Sequence, residues 1–298
     1  MREWLVGVAL CGVLAVHGVG AEAKAWNNPL KGKNPGLEHH TFQSPKMGIA
    51  VGYNICLPRE YRAEPSRRFP VVYYLHGYEG NESSYIDYAK YWQAESARIP
   101  PCILVFANGG GTSFFSDSPD GSVMGETVVK ELVAAIDSGY RTVPQPAGRS
   151  LHGYSMGGFG ALKLGFKYPD MFGSVVAYGA TLSTPEEMQE HLGKVYKRTF
   201  GSRAQFEAND PLAILETHAD AIRAGVAVQM IIGTKDEFLA ANRKLAERLK
   251  ALKVQTDYIE LAGVKHDKDP LYEQAASRAF EFSAKKFGGA GKEKPARK

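Results

Sequence analysis

The sequence predicts an α/β fold, in which helices cover both faces of a mostly parallel sheet. Short runs rich in β-branched and aromatic residues alternate with longer helix-like runs along the chain. Neither an internal repeat nor a long Pro/Ser linker divides the 298 residues, of which 44% are hydrophobic. Several polar residues lie at or beyond predicted strand ends, where the reactive groups of such sheets collect. We therefore expect one domain with a site at the carboxyl edge of its sheet.

The first half of the chain contains three predicted strands and two predicted helices. The strands are the β-rich runs at 48–57, 70–75 and 102–107. The second and third of these runs end at glycine-containing loops. A helix is expected at 86–99, which carries Trp92 and aromatic neighbours. Another helix is expected at 127–138, because its apolar residues recur near helical spacing.

The second half continues the alternation around one longer segment. Its predicted strands are 149–153, 173–178, 227–233 and 256–261, and its predicted helices are 157–168, 236–252 and 269–287. The segment 181–223 is long for a connection between strands, so we expect it to supply helices above the site. Within it, Asn209-Asp210-Pro211 is typical of a helix start, which gives Asp210 a structural role.

Both termini differ in composition from the body of the chain. Residues 1–25 predict a secretory signal peptide, with Arg2, an apolar run and then small residues up to Ala25. The apolar run is shorter than the roughly 20 residues that a membrane span needs. An uncleaved N-terminal anchor is the alternative. Residues 26–287 then form the domain, and 288–298 predict a basic, disordered tail.

Charge and cysteine content exclude two classes of function. The formal net charge is +4, and the terminal segment 292–298 supplies +3 of it, with four basic residues and one acidic residue. The nearly neutral body argues against nucleic-acid binding. Removal of the signal peptide leaves Cys56 and Cys102, and no cysteine spacing suggests a zinc site. We therefore expect no metal and no cofactor.

The sequence Gly153-Tyr154-Ser155-Met156-Gly157-Gly158 predicts a nucleophile elbow between a strand and a helix. The serine of such a turn has a strained backbone, and the strand and helix approach too closely for side chains at the flanking glycines. A glycine-rich turn with a surface serine is the alternative. Because serine is a poor nucleophile at neutral pH, a catalytic Ser155 needs a base, and the base needs an orienting carboxylate.

The order of residues after Ser155 selects the base and the acid, since the acid precedes the histidine after such an elbow. Of the histidines that follow Ser155, His191 and His218 lie in the segment of expected cap helices, whereas His266 lies in a loop between the last strand and the last helix. Asp236 follows the strand 227–233 and is the expected acid. Glu237 is the alternative, and Asp236 could instead serve only as a helix N-cap.

Negative charge that develops on a substrate carbonyl oxygen needs two backbone N–H donors. The residue after the nucleophile, Met156, is expected to supply one of them. The loop after His76-Gly77 is expected to supply the other, from Tyr78. His76-Gly77 could also be an ordinary turn at a strand end.

Six motifs follow one another as Leu75-His76-Gly77-Tyr78, Ala107-Asn108-Gly109-Gly110-Gly111, Ser116-Asp117-Ser118-Pro119-Asp120, Gly153-Tyr154-Ser155-Met156-Gly157-Gly158, Lys167-Tyr168-Pro169-Asp170 and Asn209-Asp210-Pro211. This series resembles the putative-esterase family of α/β-hydrolases over residues 40–287. That family includes esterase D (S-formylglutathione hydrolase), feruloyl and acetylxylan esterases, enterochelin esterases and the mycolyltransferase antigens.

The resemblance implies an α/β-hydrolase fold with a small helical cap, about 181–223, between the sixth and seventh strands. It implies Ser155, Asp236 and His266 as the triad, and Met156 and Tyr78 as oxyanion donors. The family often has a longer glycine run after its His-Gly, which Glu79 interrupts here. In the family's fold the second and fourth strands are adjacent and antiparallel, so a disulfide between Cys56 and Cys102 is geometrically possible, and two buried free thiols are the alternative.

We therefore expect a secreted or periplasmic serine carboxylesterase that hydrolyses a small-molecule or polysaccharide ester. The substrate is expected to be an acylated carbohydrate with a feruloyl or acetyl group, and Phe114 and Phe115 could line an aromatic acyl pocket. No nucleic-acid partner and no stable membrane association after signal cleavage are expected. The alternatives are an acyltransferase of the mycolyltransferase-antigen type, an S-formylglutathione hydrolase-like thioesterase and a non-catalytic carbohydrate-binding protein.

Overall fold

The computed structural model describes residues 26–32 and 34–290. The predicted signal peptide, 1–25, lies outside the described residues, and so do residues 291–298 of the predicted tail. Among the residues that the structure describes, no helix is both long enough and apolar enough to cross a membrane.

Eight strands form one sheet, as expected for an α/β-hydrolase fold. They are β1 (Glu38–Gln43), β2 (Ala50–Cys56), β3 (Val71–Leu75), β4 (Ile103–Ala107), β5 (Arg149–Tyr154), β6 (Ser174–Tyr178), β7 (Ala227–Gly233) and β8 (Thr256–Leu261). The spatial order is β1-β2-β4-β3-β5-β6-β7-β8. Only β2 runs antiparallel to its neighbours β1 and β4, and every other adjacent pair is parallel. The prediction of a mostly parallel sheet is confirmed.

The edge strand β1 has no counterpart among the predicted strands. Its sequence, Glu-His-His-Thr-Phe-Gln, is polar and none of its residues is fully buried. It is held by antiparallel pairing with β2, in a register that places Glu38 opposite Ile55 and Gln43 opposite Ala50. A strand that is fixed by pairing with its neighbour rather than by a buried face leaves little pattern in its own sequence.

Nine α-helices surround the sheet in the described part of the chain. They are α1 (Glu60–Ala63), α2 (Ala89–Glu95), α3 (Gly125–Gly139), α4 (Met156–Lys167), α5 (Pro185–Thr199), α6 (Arg203–Glu207), α7 (Pro211–Gly225), α8 (Leu239–Ala251) and α9 (Lys268–Ala290). The apolar sides of α3, α4, α7 and α8 pack with Val71, Tyr73 and Leu75 on one face of the sheet. Those of α2 and α9 pack with Val72 and Tyr74 on the other face. Successive side chains of β3 therefore point to opposite faces of the sheet and pack into two separate cores.

The segment predicted as a cap divides into two parts. The helices α5 and α6 pack on each other through ring contacts among three aromatic residues, Tyr196, Phe200 and Phe206. The helix α7 packs against α4 and belongs to a face of the sheet. Asp210 begins α7 as expected, because its side chain accepts a hydrogen bond of 3.0 Å from the N–H of Ala213. The bounds of the cap, 181–223, stay a prediction.

Cys56 and Cys102 do not form the possible disulfide, because both are buried free thiols. The β2–β4 register pairs Cys56 with Leu104, whereas Cys102 lies just before β4 begins. The thiol of Cys102 instead accepts the indole N–H of Trp92 at 3.4 Å. Burial raises the pKa of both thiols to about 12, so both stay protonated at neutral pH.

Candidate active site

Ser155 stands in a strained turn between β5 and α4. Its backbone has φ 57° and ψ −118°, in a region that residues other than glycine rarely adopt. A side chain at Gly157 would collide with the carbonyl of Leu75, and one at Gly153 would collide with the carbonyl of Gly157. The Ser155 N–H donates to the carbonyl of Tyr178 at 2.9 Å. The elbow geometry expected from the sequence is present, and it lifts Ser155 beyond the strand end.

A chain of hydrogen bonds joins the three residues that the sequence singled out. Ser155 Oγ lies 2.9 Å from His266 Nε2, and His266 Nδ1 lies 2.8 Å from Asp236 Oδ2. The other carboxylate oxygen of Asp236 accepts the N–H of Phe238 at 2.9 Å. The Asp236 side chain is fully buried, whereas Glu237 is exposed and does not contact His266 in this way. Asp236 rather than Glu237 therefore orients the imidazole.

Aromatic contacts fix the plane of the His266 ring. Tyr154 stacks on it with centroids 5.1 Å apart, and Phe238 meets it edge-on at the same distance. Gly179, with φ 48°, passes the pair so closely that a Cβ there would lie 3.2 Å from Asp236 Oδ2. Because a carboxylate only accepts hydrogen bonds, Nδ1 carries a proton, and the neutral ring presents its Nε2 lone pair to Ser155.

The two expected oxyanion donors lie on neighbouring segments. The Met156 N–H belongs to the first turn of α4, where helix N–H groups have no intrahelical acceptor. The Tyr78 loop follows β3, which lies directly beside β5, with Leu75 opposite Gly153. Glu79 adopts φ 56° and its N–H donates to the carbonyl of Gly111, so the loop is tied in place without the family's glycine. The donor role of Tyr78 stays a prediction.

The side chain of His76 holds this loop through hydrogen bonds to two backbone groups, a role that the sequence did not indicate. It is buried; its Nδ1 donates to the carbonyl of Gly77 at 2.9 Å, and its Nε2 accepts the Gly109 N–H at 3.2 Å. Burial lowers the pKa of His76 to about 4, so the ring is neutral at pH 7 and can serve as both donor and acceptor. Only its position at a strand end was visible in the sequence.

The two phenylalanines proposed as substrate contacts have different positions. Phe114 borders the cleft beside Ser155, with 2% of its surface exposed and its ring packed edge-on against Phe159. Phe115 is fully buried, and its ring packs on His76 and against Gly109 and Gly160. The expectation that Phe115 lines the acyl pocket is therefore wrong. Both residues have positive φ, 52° and 50°, and this turn directs the Phe115 ring into the core.

A buried lysine holds that strained turn, and no pattern in the sequence indicates this role. Lys163 Nζ lies 2.5 Å from the carbonyl oxygen of Phe115 and 2.8 Å from Glu126 Oε2. Its side chain is 0% exposed. Burial lowers the pKa of Lys163 to about 8, and the adjacent carboxylate opposes that shift. A lysine within an Ala- and Leu-rich helix ordinarily faces solvent, so only its distant partners define this role.

A cleft of about 500 Å³ opens beside the nucleophile. Its described lining residues are Phe114, Thr181, Leu182, Ser183, Glu187, Met188, His191, Leu192, Glu237, Phe238, Ala240 and Ala241. The cleft reaches the elbow at Thr181, whose Oγ1 lies 3.0 Å from Ser155 Oγ. Glu187 and Glu237 are its carboxylates, and this lining contains neither lysine nor arginine. Such a cleft accepts an uncharged group more readily than an anion.

Solved structures with the same fold include several ester hydrolases. A ferulic acid esterase aligns with 85% of this chain and 98% of its own, at 23% identity and a TM-score of 0.72. A fluorophosphonate-binding serine hydrolase F from Staphylococcus aureus aligns with 83% and 98%, at 17% identity and a TM-score of 0.73. Mycobacterium tuberculosis MPT51 aligns with 86% and 99%, at 16% identity and a TM-score of 0.68. These likenesses identify the fold.

Curated relatives carry esterase names. Esterase Rv1288 of Mycobacterium tuberculosis is 26% identical over 261 residues, which cover 77% of this chain and 56% of that protein. The chain thus spans little more than half the length of that relative. An acetyl esterase of Caldicellulosiruptor saccharolyticus is 27% identical over 232 residues, or 74% of this chain and 85% of that protein. The family model described as putative esterase matches residues 44–285, so the chain belongs to the putative esterase family.

Proposed function

We propose that this protein is a serine carboxylesterase that acts through an acyl-enzyme on Ser155. The observation that carries the proposal is the unbroken chain from Ser155 Oγ to His266 at 2.9 Å and on to Asp236 at 2.8 Å. The backbone of Ser155 is strained, and its Oγ contacts Thr181, which lines the cleft. Strained backbone conformations cost free energy and cluster at active sites, which supports a catalytic role for Ser155.

Acylation begins when His266 Nε2 takes the proton of Ser155. The Oγ electron pair forms a bond to the ester carbonyl carbon, and the carbonyl π pair moves onto oxygen. The N–H groups of Met156 and Tyr78 are proposed to meet that oxyanion. The intermediate then breaks its bond to the alcohol oxygen, which leaves with the proton from His266. Asp236 stabilises the imidazolium in between.

Deacylation repeats the same steps with water as the nucleophile. Water loses a proton to His266 as its oxygen bonds to the acyl carbon. Collapse of the second intermediate breaks the bond between carbon and Ser155 Oγ, and Oγ takes the proton back. The products are a carboxylic acid and the free serine, so the cycle needs only an ester and water.

An acylated carbohydrate, with a feruloyl or acetyl group, is the proposed substrate. The cleft lining supports an uncharged ester, because Glu187 and Glu237 would repel a carboxylate-bearing one such as a glutathione thioester. Phe114 borders the cleft with 2% of its surface exposed and is the proposed aromatic contact for an acyl group. Relatives named acetyl esterase, and endo-1,4-beta-xylanase/feruloyl esterase from Xylanibacter ruminicola, support the same class.

The site of action is proposed to be outside the cytoplasm, in the periplasm or the medium. This rests on the predicted signal peptide at 1–25. Expression of the full chain, followed by N-terminal sequencing of the mature protein, tests it. A mature N-terminus between residues 20 and 26 is expected, and an intact Met1 in the cell-associated fraction would contradict export.

A panel of esters compared between wild type and Ser155→Ala tests the catalytic proposal. The panel contains acetylated xylan, methyl ferulate and p-nitrophenyl esters of short and long acids. We expect Ser155→Ala to abolish hydrolysis of every ester that the wild type cleaves. Equal rates for the two proteins would refute the mechanism. Transfer of the acyl group to an added sugar, in preference to release of free acid, would indicate an acyltransferase instead.

A further inference from the structure

Thr181 is a second hydroxyl at the proposed nucleophile. Its Oγ1 lies 3.0 Å from Ser155 Oγ, which is nearly the distance between Ser155 Oγ and His266 Nε2. Thr181 is half-buried and forms the inner end of the cleft. The triad does not use this contact, whose length lies at the upper end of the range for O–H···O hydrogen bonds.

Donor and acceptor counts fix the direction of this bond. His266 Nδ1 carries a proton toward the Asp236 carboxylate, so Nε2 of the neutral ring can only accept. The hydroxyl proton of Ser155 is therefore donated to Nε2. The lone pairs of Oγ remain as acceptors, and the Thr181 hydroxyl is consequently the donor in its bond to Ser155.

The backbone around Thr181 is held rigidly enough to aim this donor. The Thr181 N–H donates to the carbonyl of Ser155 at 3.2 Å. The carbonyl of the preceding residue, Ala180, accepts the side-chain amide of Asn242 at 2.8 Å. Asn242 is itself buried and also donates to the carbonyl of Phe238 at 2.9 Å. Asn242 therefore ties the loop that carries Thr181 to Phe238, whose ring contacts His266.

We propose that Thr181 is a catalytic residue that stabilises Ser155 Oγ as the leaving group of deacylation. The inference rests on the proposed acyl-enzyme. In acylation, Oγ begins with this hydrogen bond and becomes an ester oxygen, which is a weaker acceptor. In deacylation, the bond between carbon and Oγ breaks, and its electron pair moves onto Oγ. The Thr181 O–H then strengthens its bond to Oγ before His266 returns the proton.

The two half-reactions therefore respond to Thr181 unequally. Ser155 Oγ accepts this bond already in the free enzyme and keeps it in the transition state of acylation, so loss of the hydroxyl affects both states and leaves the acylation rate nearly unchanged. The same loss removes stabilisation that deacylation gains in its transition state. A single hydrogen bond of this kind corresponds to about a tenfold change in rate.

The test is rapid-quench mass spectrometry of wild type and Thr181→Val with p-nitrophenyl acetate. The mass of the intact protein reports the acyl-enzyme, and its rise and decay give the acylation and deacylation rates. We expect Thr181→Val to deacylate about tenfold more slowly with no loss in acylation rate. Its kcat and KM should fall together, while kcat/KM is maintained.

Two further variants separate this role from a structural one. Thr181→Ser keeps the hydroxyl and should restore most of the deacylation rate. Thr217→Val makes the same chemical change on the exposed side of α7 and should match wild type. Equal slowing of both half-reactions in Thr181→Val, or no slowing of either, overturns the inference alone. A wild type that forms no acyl-enzyme overturns the proposed function as well.

Discussion

Lowering the pH from 7 to 5 should destabilise the protein through two buried histidines. Burial lowers the pKa of His76 to about 4 and that of His152 to about 3. In the unfolded chain both titrate near 6.5, so between these values the unfolded state binds protons that the folded state does not. The free energy of unfolding therefore falls as the pH falls. At pH 5 each histidine accounts for about 2 kcal/mol of the loss, and the pair for about 4 kcal/mol.

The surroundings of His152 explain why it cannot accept a charge. Its ring nitrogens meet two hydroxyls, Tyr88 at 2.9 Å and Ser283 at 2.8 Å, and neither can neutralise an imidazolium. His76 faces two backbone groups, the carbonyl of Gly77 and the N–H of Gly109. A second proton on His76 would therefore face the Gly109 N–H and break the hydrogen bond between the two residues.

Urea unfolding followed by tryptophan fluorescence at pH 7 and pH 5 measures this effect. His152→Gln should be less stable at pH 7, but its loss between the two pH values should be about half that of wild type. His40→Gln, in which a histidine with a side chain that is 41% exposed is replaced, should show the wild-type loss. A free energy of unfolding that is unchanged or higher at pH 5 would refute the reasoning.

The remaining predictions concern the triad and the elbow. Asp236→Asn should lower kcat for p-nitrophenyl acetate on the order of 10³-fold with little change in KM, because the amide no longer fixes the histidine tautomer. Exposed Asp220→Asn should retain activity, and a small effect of Asp236→Asn would contradict the role given to it. Gly157→Ala should cost about 3 kcal/mol in urea unfolding, since its Cβ would collide with the Leu75 carbonyl. Gly139→Ala, with open space at its Cβ, should change stability by less than about 1 kcal/mol, and equal effects would contradict this packing account.

The parts of the site that sequence could predict are those fixed by local rules. Ser155 is placed by a turn whose glycines are adjacent in the chain. Asp236 and His266 each follow a strand of the parallel sheet, and the carboxyl ends of parallel strands meet at one edge. Their hydrogen bonds therefore follow from chain order and topology together.

The parts that sequence could not predict depend on contacts between distant segments. The inward turn of Phe115 is held by Lys163, 48 positions away, and nothing near Phe115 in the sequence signals that bond. Thr181 reaches Ser155 across 26 positions, from a loop anchored by Asn242. The thiol of Cys102 accepts a hydrogen bond from Trp92 and does not bond to Cys56. The strand register places Leu104, rather than Cys102, opposite Cys56.

The most direct test of the central claim is the site of covalent labelling by a fluorophosphonate. Intact-mass and peptide mass spectrometry would be applied to the wild type and to Ser155→Ala. The account predicts one adduct per wild-type chain, carried by Ser155, and none in the variant. An adduct on another residue, or ester hydrolysis that persists in the unlabelled Ser155→Ala protein, would contradict it.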